Sequence, residues 1–266
     1  IMNTILTLSS FIFPLITFPY VSRILLPEGT GRVSFATSVV SYFLMLSQLG
    51  IPTYGIRACA KVRDDRRKLS RVVRELMAIN LVMSLLSYLA LGIFVFAIPR
   101  LRAESSLIFI ISLTILLNAV GMEWLYKALE QYTYITIRSV IFKAIAVVAM
   151  LLLIRQQSDY VVYGALTILA ASASNVCNFV HAHTYIDLFP EEKYNYRQHM
   201  KPILVFFAMS CATVIYTNLD TVMLGLMKNN VDVGYYNAAV KIKGILVGIV
   251  TSLGTVMLPR LSYYVE

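Results

Sequence analysis

PLITFPYVSRILLPEGTGRVSFATSVVSYFLMLSQLGIPTYGIR, Pro14 to Arg57, sets the pattern of the whole chain. Two long apolar runs flank a short turn holding Arg23, Glu28 and Arg32, and no charged residue occurs from Val33 to Ile56. A helix rising ~1.5 Å per residue needs ~20 residues to cross ~30 Å of hydrocarbon, so each run is long enough to span a bilayer. The alternation continues outward. Charge-free windows run over Ile1–Ser22, Val33–Ile56, Leu76–Pro99, Ser105–Met122, Ala144–Ile154, Tyr160–Ile186, Pro202–Leu219 and Gly244–Pro259. The two short ones reach full length by admitting Arg138 and Lys143 in one case, and Lys241 and Lys243 in the other. The reading is an all-α polytopic membrane protein with eight transmembrane helices, and those intramembrane charges are where function is sought.

Composition agrees. Hydrophobic residues make up 58% of the chain, charged residues 14%, and the mean hydropathy is +0.72, against about 25% charged residues in soluble domains. Cys59, Cys177 and Cys211 form no CxxC pair or ligand cluster and read as packing residues; no disulfide framework, metal site or cofactor is expected. The net charge of +9 is scattered through short loops, with no aromatic-interleaved basic domain, so it points to topology and anionic headgroups and away from nucleic acid. A first span without a small-residue cleavage site is no signal peptide. Because Ile1 is not an initiator methionine, the chain reads as a fragment.

Loops on one side carry fourteen Lys and Arg, half of them in the run from Lys61 to Arg74. The other side has six: Arg23, Arg32, Arg100, Arg102, Arg155 and Lys228. The positive-inside rule places the richer side, and with it both chain ends, in the cytoplasm. The connection ending at Pro202, a residue suited to a first helical turn, divides the chain into a first six-helix lobe (1–186), a cytoplasmic loop (187–201) and two helices of an incomplete second lobe (202–266). Arg23 to Ala36 and Asp220 to Ala239 form a faint repeat, as transporters often do.

Several residues stand out. Ser34, Ser38, Ser41, Met45 and Gln48 form a polar stripe at helical spacing, followed by Gly50, Tyr54 and Arg57; it reads either as hydrogen-bonded helix packing or as a cavity wall. A guanidinium cannot lose its proton, so Arg57 needs an anion, carbonyls or water. Asn237, Lys241, Gly244 and Gly248 share one face, with Lys243 about 200° away around the helix. Lys241 is therefore the inward-facing candidate; snorkelling of both lysines is the alternative. Arg23 and Asp220, near outer helix ends and opposite in charge, are a candidate gating pair; the alternative is that each reaches headgroups or its own loop. Glu123, beside Trp124 at a helix end, is a candidate proton or cation site. There is no phosphate loop, nucleophile elbow or paired-acid motif, hence no sign of ATP hydrolysis or covalent catalysis.

PLITFPYVSRILLPEGTG (Pro14–Gly31), LGIPTYGIR (Leu49–Arg57), EWLYKALEQY (Glu123–Tyr132), NLDTVMLG (Asn218–Gly225) and VGYYNAAVKI (Val233–Ile242) resemble the polysaccharide-repeat-unit flippases of the multidrug/oligosaccharidyl-lipid/polysaccharide exporter superfamily. The chain departs from that pattern at Leu26 and Ala128, where Gly is usual. The resemblance implies two six-helix lobes around a central cavity in the bacterial cytoplasmic membrane. It implies export of undecaprenyl-pyrophosphate-linked oligosaccharides from inner to outer leaflet by alternating access, with polysaccharide polymerase machinery as a further partner. Arg57 and Lys241 would then contact the diphosphate, and Ser41, Gln48 and Asn237 the sugars or the cavity wall. Competing readings are a cation-coupled drug antiporter, a peptidoglycan-precursor flippase and, from another class, a membrane glycan transferase or a scaffold. Few acids at membrane depth and short outer loops weigh against the first and the transferase.

Overall fold

The computed structural model describes residues 2–187, 194–244 and 246–247. These residues are helical with short connections and no strand, as befits a chain whose backbone must satisfy itself within lipid. Among the described residues, five helices are long and apolar enough to cross a membrane: Ile12–Ala60, Arg66–Ala97, Tyr132–Leu153, Gln157–Thr184 and Arg197–Met227. Ser105–Gly121 is a shorter apolar helix. Most of the eighth window, with Gly248 and Arg260, lies outside the described residues.

Helix α1 (Met2–Gln48) joins the first two windows across a kink at Leu26, whose φ of 56° and ψ of 176° are not helical. Pro27 explains the break: its ring disfavours helical geometry at the preceding residue and suits the first position of the next helix. The limb before Leu26 runs up and the limb after it runs down. Tyr20 donates to the carbonyls of Leu151 and Ile154 at one end, whereas Tyr54, beyond the second limb, meets His199 at the other. Leu49 and Gly50, both at positive φ, turn the chain into α2 (Ile51–Ala60), with Pro52 in its first turn. Asp65 caps α3 (Arg66–Ala97) by accepting from the amides of Arg67 and Lys68.

The short α4 (Pro99–Arg102) leads to α5 (Ser105–Gly121), which runs antiparallel to α3: Asn80 donates to the Ala119 carbonyl and Tyr88 to that of Ser112. Met122, in the left-handed region, separates α5 from α6 (Glu123–Ala128). Helix α7 (Tyr132–Leu153) takes Arg138 and Lys143 into its interior, as the extended fifth window anticipates. The sixth window is interrupted: α8 (Tyr160–Ile168) passes into a π-helical stretch, Leu169–Ala173, before α9 (Asn175–His181). Helix α10 (Arg197–Met227) starts a full turn before Pro202, and α11 covers 230–244. The early start has a local cause, because Gln198 and His199 are held by the buried Glu75 of α3.

The interior divides into two apolar clusters. One apolar cluster gathers Val21, Leu25, Phe35, Leu107, Ile111 and Tyr163, and a second gathers Ile51, Leu76, Trp124, Leu125 and Ile203. A polar layer built by Asn80, Asn118, Ser172, Asn175 and Asn178 occupies the interior as well. Outside, Leu85, Ile93, Leu152, Val180 and Met209 are exposed, as lipid-facing side chains are.

Candidate functional site

The second limb of α1 and α10 enclose a cleft of about 460 Å³. Ser41, Met45 and Gln48 of the polar stripe line one wall, and Ser210, Thr213 and Asn218 line the other. The stripe is therefore a cavity wall over its lower part, while Ser38 is buried in packing. Gly50 shapes the floor. Its φ of 74° favours glycine, and a Cβ there would come within 2.6 Å of the Phe206 and Phe207 backbone. Phe206 also lines the cleft, and the Arg57 guanidinium lies 5.1 Å above its ring. Arg57 is exposed, so it brings a permanent positive charge to the cleft's rim.

Gln48 and Pro52 are shared with an adjoining cavity of about 200 Å³, lined by Asn80, Asn118, Glu123, Trp124, Lys127 and Asn175. The carboxylate of Glu123 sits 2.8 Å from Lys127 Nζ and 4.0 Å from Arg138 Nη2. Glu123 is thus already compensated by cations, a poor arrangement for an independent cation site. An unneutralised charge at the bilayer centre costs about 2.5–3.5 kcal/mol by insertion scales, which is why such pairing matters.

The other candidates lie apart. Lys241 packs its ammonium 4.3 Å from the Phe18 ring centroid on the first limb of α1, while Asn237 donates to the Val233 carbonyl within its own helix. Arg57 and Lys241 therefore stack on different helices and share no contact. Arg23 and Asp220 are both exposed, and among the described residues they form no ion pair; Asp220 instead accepts from Tyr236 at 2.7 Å.

That end of the molecule is closed by groups the sequence reading passed over. Arg100 donates to the Gly225 carbonyl at 2.9 Å and to Asn230 Oδ1 at 2.5 Å. Asn230 in turn donates to Glu104 at 3.1 Å, and Arg32 reaches Glu28 at 2.8 Å and Glu104 at 3.6 Å. Gly31 and Gly234 let the backbones touch here: a Cβ on either would lie within 2 Å of the carbonyl oxygen of Asn230 or Pro27, respectively. The repeat segments do mark this junction, but only the fold reveals which side chains bridge it. The asparagine layer was missed for a plainer reason, since Asn80, Asn118 and Asn175 come from helices far apart in sequence.

A family model described as polysaccharide biosynthesis protein matches residues 1–265. The chain belongs to the polysaccharide biosynthesis protein family. With its apolar helices, this family member is a multi-pass membrane protein. Two curated relatives carry the name "Putative O-antigen transporter". That from Escherichia coli is 22% identical over 257 residues, 96% of this chain and 62% of its own length. That from Shigella dysenteriae is 26% identical over 266 residues, 96% of this chain and 64% of its own length. The polysaccharide biosynthesis chain thus spans just under two thirds of these relatives. No solved structure matches it.

Proposed function

We propose that this chain forms part of a transporter that moves undecaprenyl-pyrophosphate-linked oligosaccharide repeat units from the inner to the outer leaflet, by alternating access and without covalent chemistry on the substrate. The observation that carries the reading is the cleft between α1 and α10, walled by Ser41, Gln48, Ser210, Thr213 and Asn218 and rimmed by Arg57. Hydroxyl and amide groups exchange water for sugar hydroxyls at little cost, because each lost hydrogen bond is replaced. The diphosphate needs cations sheltered from lipid, and the prenyl tail stays in the bilayer.

On this reading Arg57 meets the diphosphate at the cleft, and Lys241 meets it in a later conformation, since the two are apart here. The lobe division at 187–201 and the cytoplasmic placement of the basic end belong to the same proposal. The Arg100–Asn230–Glu104 bridge, with the Gly31 and Gly234 approach, would close the outer side. Arg23 and Asp220 would act at that side only after rearrangement. A cation-coupled antiporter is less well supported, because Glu123 is tied to Lys127.

The deciding experiment is mass spectrometry of undecaprenyl-linked glycans in the native host after depletion of the full-length protein. Accumulation of one complete repeat unit on the inner leaflet is expected. An unchanged lipid-linked pool would overturn the reading.

A further inference from the structure

A third cavity, of about 560 Å³, opens between the first limb of α1, α6, α7 and the π-helical stretch. It adjoins the polar layer through Glu123 and Lys127, which line both spaces. Its polar groups are Ser10, Glu123, Lys127, Ser139, Lys143 and Thr167. Lys143 stands at the middle of α7, and its Nζ donates to Ser9 Oγ at 2.9 Å and Ser10 Oγ at 3.0 Å. No carboxylate lies within ion-pair distance of it among the described residues, so hydroxyls alone hold this ammonium at membrane depth. Arg138, buried behind Glu123, spends Nη1 on the Ser174 carbonyl at 2.8 Å, while its Nε has no partner among the described residues. Three cations therefore face one carboxylate.

The wall opposite is made of small side chains, Ala170 and Ala171, carried on the π-helical turn, a geometry frequent at functional sites. It leaves room for a ring as well as an ion, and ligand pockets fall in this size range.

We infer that this first-lobe cavity is a second subsite that binds an oxyanion, the carboxylate of an acidic sugar or a phosphate, on the Lys143 ammonium. The third ammonium donor makes the direct bond, Lys127 and Arg138 supply the surplus positive field, and Ser139 and Thr167 meet neighbouring hydroxyls. The inference rests on the transport reading for its source of ligand and makes the carried glycan, or its phosphate linkage, the anion.

Binding is measured separately from transport. The full-length protein in detergent is titrated with sodium glucuronate, sodium phosphate or glucose at ionic strength matched with sodium chloride, and its thermal midpoint is followed. An oxyanion that fills the site at tenfold its Kd raises the midpoint by about 2 °C or more. The rise is expected to vanish in Lys143→Gln and to persist in Lys143→Arg, with glucose without effect in all three proteins. A Lys143-dependent rise with glucuronate assigns an acidic sugar, and one with phosphate alone assigns the phosphate. No oxyanion-dependent rise in the native protein, or an equal rise in Lys143→Gln, overturns the inference. The unliganded midpoints show whether each variant folds. Because the readout is binding, the site can fail while the lipid-linked pool still supports transport, and the converse.

Discussion

One imidazole ties three helices together: His199 Nε2 lies 2.6 Å from Glu75 Oε2, and its Nδ1 lies 2.8 Å from the Tyr54 hydroxyl. Glu75 is fully buried and also accepts from Asn195 N, Gln198 and Arg71. This knot fastens the start of α10 to α3 and α2. Replacing Glu75 with Ala removes at once the acceptor of the buried His199 and of three less buried donors, for a loss of about 3 kcal/mol in unfolding free energy. His199→Ala should cost less, and the double variant should fall well short of the sum of the two. Additive losses in detergent unfolding would show that the pair is not coupled.

Leu26→Gly is expected to stabilise the protein. The positive φ at Leu26 carries strain of about 1–2 kcal/mol that glycine avoids, and the leucine side chain is 47% exposed, so little burial is given up. The thermal midpoint should rise by about 2–4 °C. A fall would mean that the leucine packs more tightly than its exposure indicates.

Gly234→Ala drives a methyl into the Pro27 carbonyl, and Gly31→Ala drives one into the Asn230 carbonyl. Neither obstacle is a side chain that can swing away, so α1 and α11 must separate. Each variant should lose about 2 kcal/mol of stability or more and should increase maleimide labelling of a cysteine placed at Asn230. Unchanged labelling would sink the idea that the glycines seal this end.

Arg57→Ala and Lys241→Ala should lower repeat-unit export by about tenfold, the scale of one lost charge-assisted contact, while leaving membrane insertion and thermal midpoint near native. Arg57→Lys should recover only part of it, because the compact ammonium neither stacks on Phe206 as a plane nor grips a phosphate bidentately. Native export from both alanine variants would remove these two residues from the substrate path.

Asp187 and Arg66 supply a pH test outside the membrane. The Arg66 guanidinium, 2.8 Å away, holds the Asp187 carboxyl below the usual aspartate range. The contact therefore stabilises the fold above about pH 4 and is lost as the pH falls through the lowered value. Limited pepsin cleavage near residues 184–187 should rise below about pH 4 in the native protein and be high already at pH 5 in Arg66→Gln. Identical profiles would show that the pair does not hold this segment.

The charge-free windows made the fold legible, since a run such as Val33–Ile56 has few alternatives to a membrane helix. Even the kink left a trace: the family resemblance leads to the expectation of Gly at Leu26, and the backbone there adopts the conformation that Gly prefers. One wall of the candidate cleft was legible too, because Ser41 and Gln48 follow helical spacing and line it. Spacing along one helix says nothing about what faces it. Hence the stripe could not announce Ser210 and Thr213 across the gap, nor Asn80 meeting Asn118 and Asn175, nor Arg100 reaching Asn230 in place of an Arg23 to Asp220 pair. Pro202 misled the boundary of α10 because side-chain bonds to Glu75 sustain the turn before it.

Trp124, the single tryptophan among these 266 residues, is wedged under Gly55, where an added Cβ would come within 2.7 Å of the indole, and it borders the small cavity beside Gln48 and Glu123. Any tilt of α2 against α6 must change the polarity and quenching around that ring. Ultraviolet emission from this stretch of chain is consequently a built-in gauge of how the cleft breathes, one that needs no attached dye.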